Sequence, residues 1–372
     1  MAVFFFVVGL ELKREIIGGE LSNPKKAFLP VAAGFGGMIF PALIYLLFNS
    51  TGEAQNGWGI PMATDIAFAL GVLFLLGDRV PTSLKLFLTV LAIADDIGAV
   101  LVIAFFYTSD ISFTSLIIGA AFLLLLIISN LVGVRNTIYY GILGIGGLWM
   151  AFLLSGVHAT IAGVLAAFTI PANVKIDEIG FSEKMKMYLE KFKKADPNGV
   201  PTVTPEQLHI LEDMRTLSKQ AMTPLQRLEH GLHPVVTFII MPIFALANAG
   251  VTLSSETATT TSSYVAIGVI FGLLIGKFIG IVGVTSLLLK LKVASLPEGM
   301  NYKHLIGVGL LASIGFTMSL FVANLAFDNN ELIQQAKIGI LIASLTGGTI
   351  GYFYLYFIKP KATIIIKESD IH

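Results

Sequence analysis

Apolar residues fall in long runs along most of the chain, and each run ends at a short polar or Gly/Pro-rich break. The runs occupy residues 1–10, 27–49, 59–77, 84–107, 111–132, 137–155, 157–171, 235–252, 264–289, 304–327 and 338–358. A bilayer core of about 30 Å takes about 20 helical residues. None of the runs alternates with the two-residue period of a membrane-barrel strand, so the pattern predicts about eleven membrane helices. The first run covers only about 15 Å at 1.5 Å per residue. It also lacks the basic start and small-residue cleavage site of a signal peptide, so the sequence reads as beginning inside a helix.

One stretch, 172–233, breaks the pattern. Phe181, Met185, Tyr188, Leu189 and Phe192 recur there at helical spacing among Lys184, Lys186, Lys191, Lys193 and Lys194, a composition suited to anionic headgroups; the alternative is a solvated tether. Thr204-Pro205-Glu206-Gln207 and Thr223-Pro224-Leu225-Gln226 each have the form of a capping box with proline at the first helical position, which predicts two short helices. The chain thus divides into membrane helices over 1–171, a cytoplasmic insert with short helices over 172–233, further membrane helices over 234–358 and a cytoplasmic tail over 359–372.

Charge tests the span count independently, because basic residues gather in cytoplasmic loops. With the loop holding Lys13, Arg14, Lys25 and Lys26 assigned inside, alternate loops contain 22 of the 24 Lys and Arg. The opposite loops hold Lys337 beside Glu53, Asp110, Glu256, Asp328 and Glu331. A missed or invented span would scramble this partition. Overall composition agrees: 55% hydrophobic, 13% charged, with 24 basic and 24 acidic side chains and no cysteine. A soluble globule carries about 25% charged residues, balanced charge gives nucleic acid no electrostatic purchase, and disulfides and thiolate metal sites are excluded.

Four ionisable residues remain inside the spans: Asp65, Asp95, Asp96 and Lys277, with His158 at a span edge. A charge at the centre of a membrane helix costs at least about 2.5–3.5 kcal/mol, so these residues call for a function. Asp95 and Asp96 lie at mid-depth and diverge by about 100° around one helix. Two carboxylates this close in a low dielectric repel, and desolvation opposes their ionisation. Such a pair can exchange protons for a hard cation, which carboxylate oxygens also suit; a structural pair held by Ser, Thr or Lys is the alternative. Lys277 is too deep to snorkel easily and calls for an aspartate partner, whether in a transport site or a structural salt bridge. Asp65 follows Pro61 and Thr64 in an interrupted helix, and a second interruption is expected at Ser313–Ser319. Broken helices leave free backbone groups and half-dipoles inside the membrane, which opposite charges can offset.

These motifs resemble the NhaA family of sodium/proton antiporters. The matching segments are Ala63-Thr64-Asp65-Ile66-Ala67-Phe68-Ala69-Leu70-Gly71, Leu91-Ala92-Ile93-Ala94-Asp95-Asp96-Ile97-Gly98-Ala99, Ser155-Gly156-Val157-His158-Ala159-Thr160, Leu228-Glu229-His230-Gly231-Leu232-His233-Pro234, Gly272-Leu273-Leu274-Ile275-Gly276-Lys277 and Gly315-Phe316-Thr317-Met318-Ser319. The resemblance implies an all-α polytopic fold of inverted-topology repeats with two interrupted, crossing helices, here 59–77 and 304–327. It implies that Asp96 with Asp95 binds the sodium ion or protons, that Thr64 contributes an oxygen, and that Asp65 and Lys277 offset the half-helix dipoles, with Lys277 also a partner for Asp95. Glu11, Glu15, Glu229, His230 and His233 match the family's cytoplasmic pH-response cluster, with solvated surface as the other reading, although histidine as a type titrates near neutral pH; His158 is a further candidate for the pH response, its other reading being a helix-start or interfacial residue. No cofactor is implied: the cargo is Na⁺ or Li⁺ against H⁺, two protons per ion, in the bacterial inner membrane among lipid, with the C-terminus cytoplasmic. Two departures stand out. The family's first helix and a half, including a segment that helps dimerisation, precede the position of Met1, which leaves a homodimer open, and the insert at 174–222 is longer than usual.

Other function classes fit less well. An intramembrane aspartyl protease needs two carboxylates converging on one water, whereas Asp95 and Asp96 diverge. A passive cation channel is nearer in chemistry and differs by its inability to move sodium uphill. A Gly-Lys-Ser/Thr phosphate loop for ATP-driven pumping is absent from the sequence.

Overall fold

The computed structural model describes residues 1–107, 112–195, 202–251 and 263–358; Asp110, Glu256, Lys359, Lys361, Lys367 and the expected tail lie outside them. The described residues form helices joined by short links, with no strand among them: α1 (Ala2–Gly18), α2 (Pro24–Phe48), a 3₁₀ segment (Glu53–Met62) leading to α3 (Ile66–Leu75), α4 (Thr82–Phe106), α5 (Phe113–Leu131), α6 (Thr137–Leu154), α7 (Ala159–Thr169), α8 (Glu178–Lys194), α9 (Pro205–Ala221), α10 (Pro224–Asn248), α11 (Tyr264–Lys290), α12 (Tyr302–Leu311), α13 (Phe316–Ala326) and α14 (Asn330–Tyr356). This is a polytopic all-α membrane protein. Eight of these spans are long and apolar enough to cross a bilayer, and the bent pair α12 and α13 makes a ninth. The remaining two expected crossings are the 17-residue α1 and the 11-residue α7.

Several boundaries differ from those read in the sequence; α14, for one, begins at Asn330, eight residues before 338, so Lys337 is on a helix and not in a loop. Helix α1 continues eight residues past Leu10, so Lys13 and Arg14 are on a helix and not in a loop. Lys13 Nζ donates to the Phe168 and Ile170 carbonyls at 2.7 and 2.5 Å, closing the C-terminal end of α7, where free carbonyls attract a cation. The second capping box forms as predicted, with Gln226 N–H donating to Thr223 Oγ1 at 3.0 Å. It opens a 25-residue helix, however, and not a short one. Pro234 does not end α10, because a wide π turn over Val236–Ile240 follows the proline and carries the helix on.

The chain folds as two compact units. Unit 1, Met1–Arg14 with Asp110–Val236, is built around Leu10, Leu126, Leu148, Ala162, Ala166 and Ala167. Helices α1 and α7 approach backbone to backbone there: a Cβ on Gly163 would stand 2.6 Å from the Ala2 carbonyl oxygen. In the same unit α8 packs on α9, and Phe181, Met185, Tyr188 and Phe192 are half-buried, whereas Ile179, Met187 and Leu189 stay exposed. Four of the five positions of the apolar stripe are thus partly covered, and Leu189 is exposed.

Unit 2, Glu15–Ser109 with Thr237–His372, holds the interrupted helices. Its helices α2 and α11 meet along glycines: Cβ atoms on Gly36 and Gly280 would each fall on the other's carbonyl, and one on Gly276 would stand 2.6 Å from Pro41 Cα. Small residues four apart permit this approach in membranes, where packing and not water exclusion drives helix association. Large apolar side chains such as Leu47, Phe105 and Leu246 face outward almost bare, the arrangement a lipid environment requires and water penalises.

Candidate ion-binding site

Three breaks in helical regularity within unit 2 bear on Asp65 and Lys277, whereas Asp95 and Asp96 lie on the unbroken α4. The first is the extended link Ala63–Asp65, where the 3₁₀ segment ends and α3 begins (Ala63 φ −79°, ψ 139°; Asp65 φ −83°, ψ 95°). The second separates α12 from α13, which are bent by 45°. The third is milder: α11 is wound as π turns over Gly272–Gly276 and Ile279–Gly283, on either side of Lys277. Each π turn takes more residues per turn than an α turn, and such turns occur often at functional sites.

The two interrupted helices are bonded to each other at their breaks. Asp65 N–H donates to the Ile314 carbonyl at 2.7 Å. The Asp65 carboxylate accepts from Phe68 N–H at 3.2 Å, capping α3, and from Thr317 N–H at 3.0 Å, capping α13. The Thr317 hydroxyl is a further donor to it. One buried carboxylate therefore faces the positive ends of two half-helices, where a negative charge is stabilising. Ser319 Oγ donates to the Ile60 carbonyl at 2.8 Å, so the segment before the first break is tied down as well.

Thr64, one residue before, joins this crossing to α4. Its Oγ1 lies 2.7 Å from Asp95 Oδ2 and 3.1 Å from the Ala312 carbonyl, and its single proton serves one or the other. Lys277 Nζ forms an ion pair with the same Asp95 Oδ2. The Lys277 ammonium also lies in the field of Asp96. All five side chains, Thr64, Asp65, Asp95, Asp96 and Lys277, are at most 1% exposed. Asp95 Oδ1 has no hydrogen-bond partner among the described residues. It points toward α2, where Cβ atoms on Gly34 and Gly37 would lie 3.5 and 3.7 Å away. Three oxygens and an ammonium held this close in a dry interior can take up a proton or a hard cation, and the helix starts at Asp65 remain capped in either case.

The remaining sequence-derived residues lie elsewhere. In unit 1, His233 Nε2 is 3.9 Å from Glu11 Oε1, and Arg14 Nε is 3.0 Å from Glu229 Oε1. His230 is exposed and His158 is half-buried at the start of α7. Glu15, in unit 2, is buried and accepts the Glu20 N–H at 2.9 Å.

A family model described as Na+/H+ antiporter 1 matches residues 1–355. The chain belongs to the NhaA family. Among curated proteins it is 50% identical to the Na(+)/H(+) antiporter NhaA of Oleidesulfovibrio alaskensis, over 95% of this chain and 79% of that protein. It is 49% identical to Na(+)/H(+) antiporter NhaA 1 of Saccharophagus degradans, over 96% and 77%, and 46% identical to Na(+)/H(+) antiporter NhaA 1 of Psychromonas ingrahamii, over 100% and 84%. NhaA proteins are transporters, not enzymes, which disfavours the protease reading and leaves the ion site as the feature to explain.

Two participants were not singled out from the sequence. Thr317 sits within the Gly315–Ser319 motif, but a threonine in an apolar helix gives no signal of its own; its position directly after the Gly315-Phe316 break is the available clue. Arg14, the partner of Glu229, reads in the sequence as a loop charge, although it stands three residues from Glu11 and so on one helix face with it.

Proposed function

We propose that the protein is a secondary active antiporter that exchanges protons for a sodium or lithium ion at the Asp95–Asp96 pair. The observation that carries this reading is the buried cluster in which Asp95 receives both Lys277 and Thr64 and keeps Oδ1 without a protein donor. A carboxylate oxygen in such a place accepts a proton or ligates a hard cation, and the two exclude each other. Competition for one site couples the flows with no other energy source. Asp96 is the second carboxylate of the exchange, and Thr64 supplies a neutral oxygen. Lys277 balances Asp95 while no cation is bound, and Asp65 keeps the crossing capped whatever occupies the site. With two protons against one ion the exchange is electrogenic, and Glu11, Glu15, Glu229, His230, His233 and His158 tune its response to pH. Its setting is a bacterial inner membrane, with the C-terminus cytoplasmic.

The test is sodium-induced proton movement in proteoliposomes. Wild-type protein should release protons on sodium addition, extrude sodium uphill on an imposed proton gradient and generate a membrane potential while doing so. Asp96→Asn should abolish the exchange; persistence of the exchange with unchanged pH dependence would refute the site. Sodium leak without proton coupling would instead favour a channel.

A further inference from the structure

The start of α13 has two leading amides, and only one of them is served by Asp65. Thr317 N–H donates to that carboxylate at 3.0 Å, whereas the preceding Phe316 N–H donates to Ser344 Oγ at 3.1 Å. Ser344 belongs to α14, which carries none of the residues assigned above, and it is 9% exposed. We infer that Ser344 is a positioning residue for the ion site: its hydroxyl fixes the first turn of α13 so that Thr317 meets Asp65. The inference rests on the exchange site proposed above, but its geometric part stands alone.

Three observations carry it. The first four amides of a helix have no partner within the helix, so an acceptor brought by another element decides how the first turn is oriented. A neutral hydroxyl on Phe316 also leaves Asp65 Oδ2 to the Thr317 amide and hydroxyl, while Oδ1 serves Phe68. The chain of bonds is then continuous: Ser344 holds Phe316, Thr317 donates to Asp65, and its neighbour Thr64 reaches the Asp95 oxygen that Lys277 also holds. Finally, α14 is pressed against the break over more than one turn. A Cβ on Gly347 would strike Ser313 Oγ and stand 3.2 Å from the Leu310 carbonyl, and one on Gly348 would be 3.2 Å from Ile314 Cδ1. Ser344 is one turn before these glycines on the same helix, so the serine is held in place by the backbone contact next to it. A half-helix that starts inside a membrane has no water to satisfy its amides, which is why a hydroxyl on a neighbouring helix can determine its direction.

Hydrogen exchange read residue by residue on wild-type protein, without sodium, tests the geometry. The Phe316 amide, first in its helix, should be protected at least tenfold over the first amides of α5, whose N-cap residue Ser112 makes no side-chain cap hydrogen bond; exchange as fast as theirs would overturn the proposal. In proteoliposomes, Ser344→Ala should raise the apparent KM for sodium about three- to tenfold with the maximal rate within twofold of wild type, and Ser344→Thr should restore it. An unchanged KM in Ser344→Ala with Phe316 deprotected would also overturn the functional part. Loss of coupled exchange in wild type would strike the antiport reading and leave the protection result standing. Should Ser344→Ala fail to fold, the wild-type protection measurement decides the geometry by itself.

Discussion

Asp65 and Asp95 are both buried carboxylates, yet their surroundings ask different things of them. Asp65 accepts from two backbone amides and a hydroxyl, all fixed by the helix starts. Asp95 is held through one oxygen by side chains, which can let go. Removing one member of a buried ion pair costs about 3–5 kcal/mol, because it leaves the other charge uncompensated, whereas replacing both by apolar or neutral groups is often neutral or stabilising. Lys277→Met should therefore lower the thermal unfolding temperature in detergent clearly, and Asp95→Asn combined with Lys277→Met should recover most of the loss while transport stays absent. If the double variant is less stable than either single one, the pair does not act as a unit. Residues of this kind are visible in a sequence because a charge inside an apolar run stands out against its cost. Thr317 and Ser344 are not, since a hydroxyl in a membrane helix is common and its partners lie 252 and 28 residues away.

At the scale of elements, helix irregularities do the positioning, and they were legible in unequal degree. Pro61 and Thr64 mark the first interruption and the Gly315 region the second, because proline and glycine change local backbone preferences. The π turns around Lys277 leave no such mark; their glycines read equally well as ordinary packing. The ends of α1, α10 and α14 are hidden for a related reason: polarity marks where a run leaves the bilayer, not where hydrogen bonding stops, and all three helices extend beyond their apolar parts. The glycines of α11 give the element-scale prediction. Gly280→Ala would drive a methyl into the Gly36 carbonyl, and backbone there can yield only by separating α2 from α11, which carries Lys277. Overpacking of this sort costs about 1–3 kcal/mol. Gly280→Ala should lower the unfolding temperature and weaken sodium-induced proton release, whereas Gly283→Ala, whose Cβ would meet only Ile279 Cγ2 at 3.9 Å, should leave both near wild type. Equal behaviour of the two would argue against close α2–α11 contact as the support of the site.

For the whole molecule, the distribution of basic residues gives a topology that can be checked span by span. Alkaline phosphatase, active only outside the cytoplasm, should be inactive when fused after Lys292 or Ile358 and active when fused after Phe327, on the other side of the bent pair α12 and α13. Activity at Ile358 would reverse the orientation proposed for the C-terminus. The bonded crossing of the two interrupted helices has a further consequence, for biogenesis. Asp65 leaves the ribosome 252 residues ahead of Thr317, which at about 5–20 residues per second amounts to roughly 13–50 s. Throughout that interval the α3 half-span is in or near the bilayer without its mate, one half of its acidic cap unanswered. Nascent chains stalled before Phe316 should accordingly be caught by insertion factors or removed by membrane proteases, and only chains that have passed that point can close the centre of the protein.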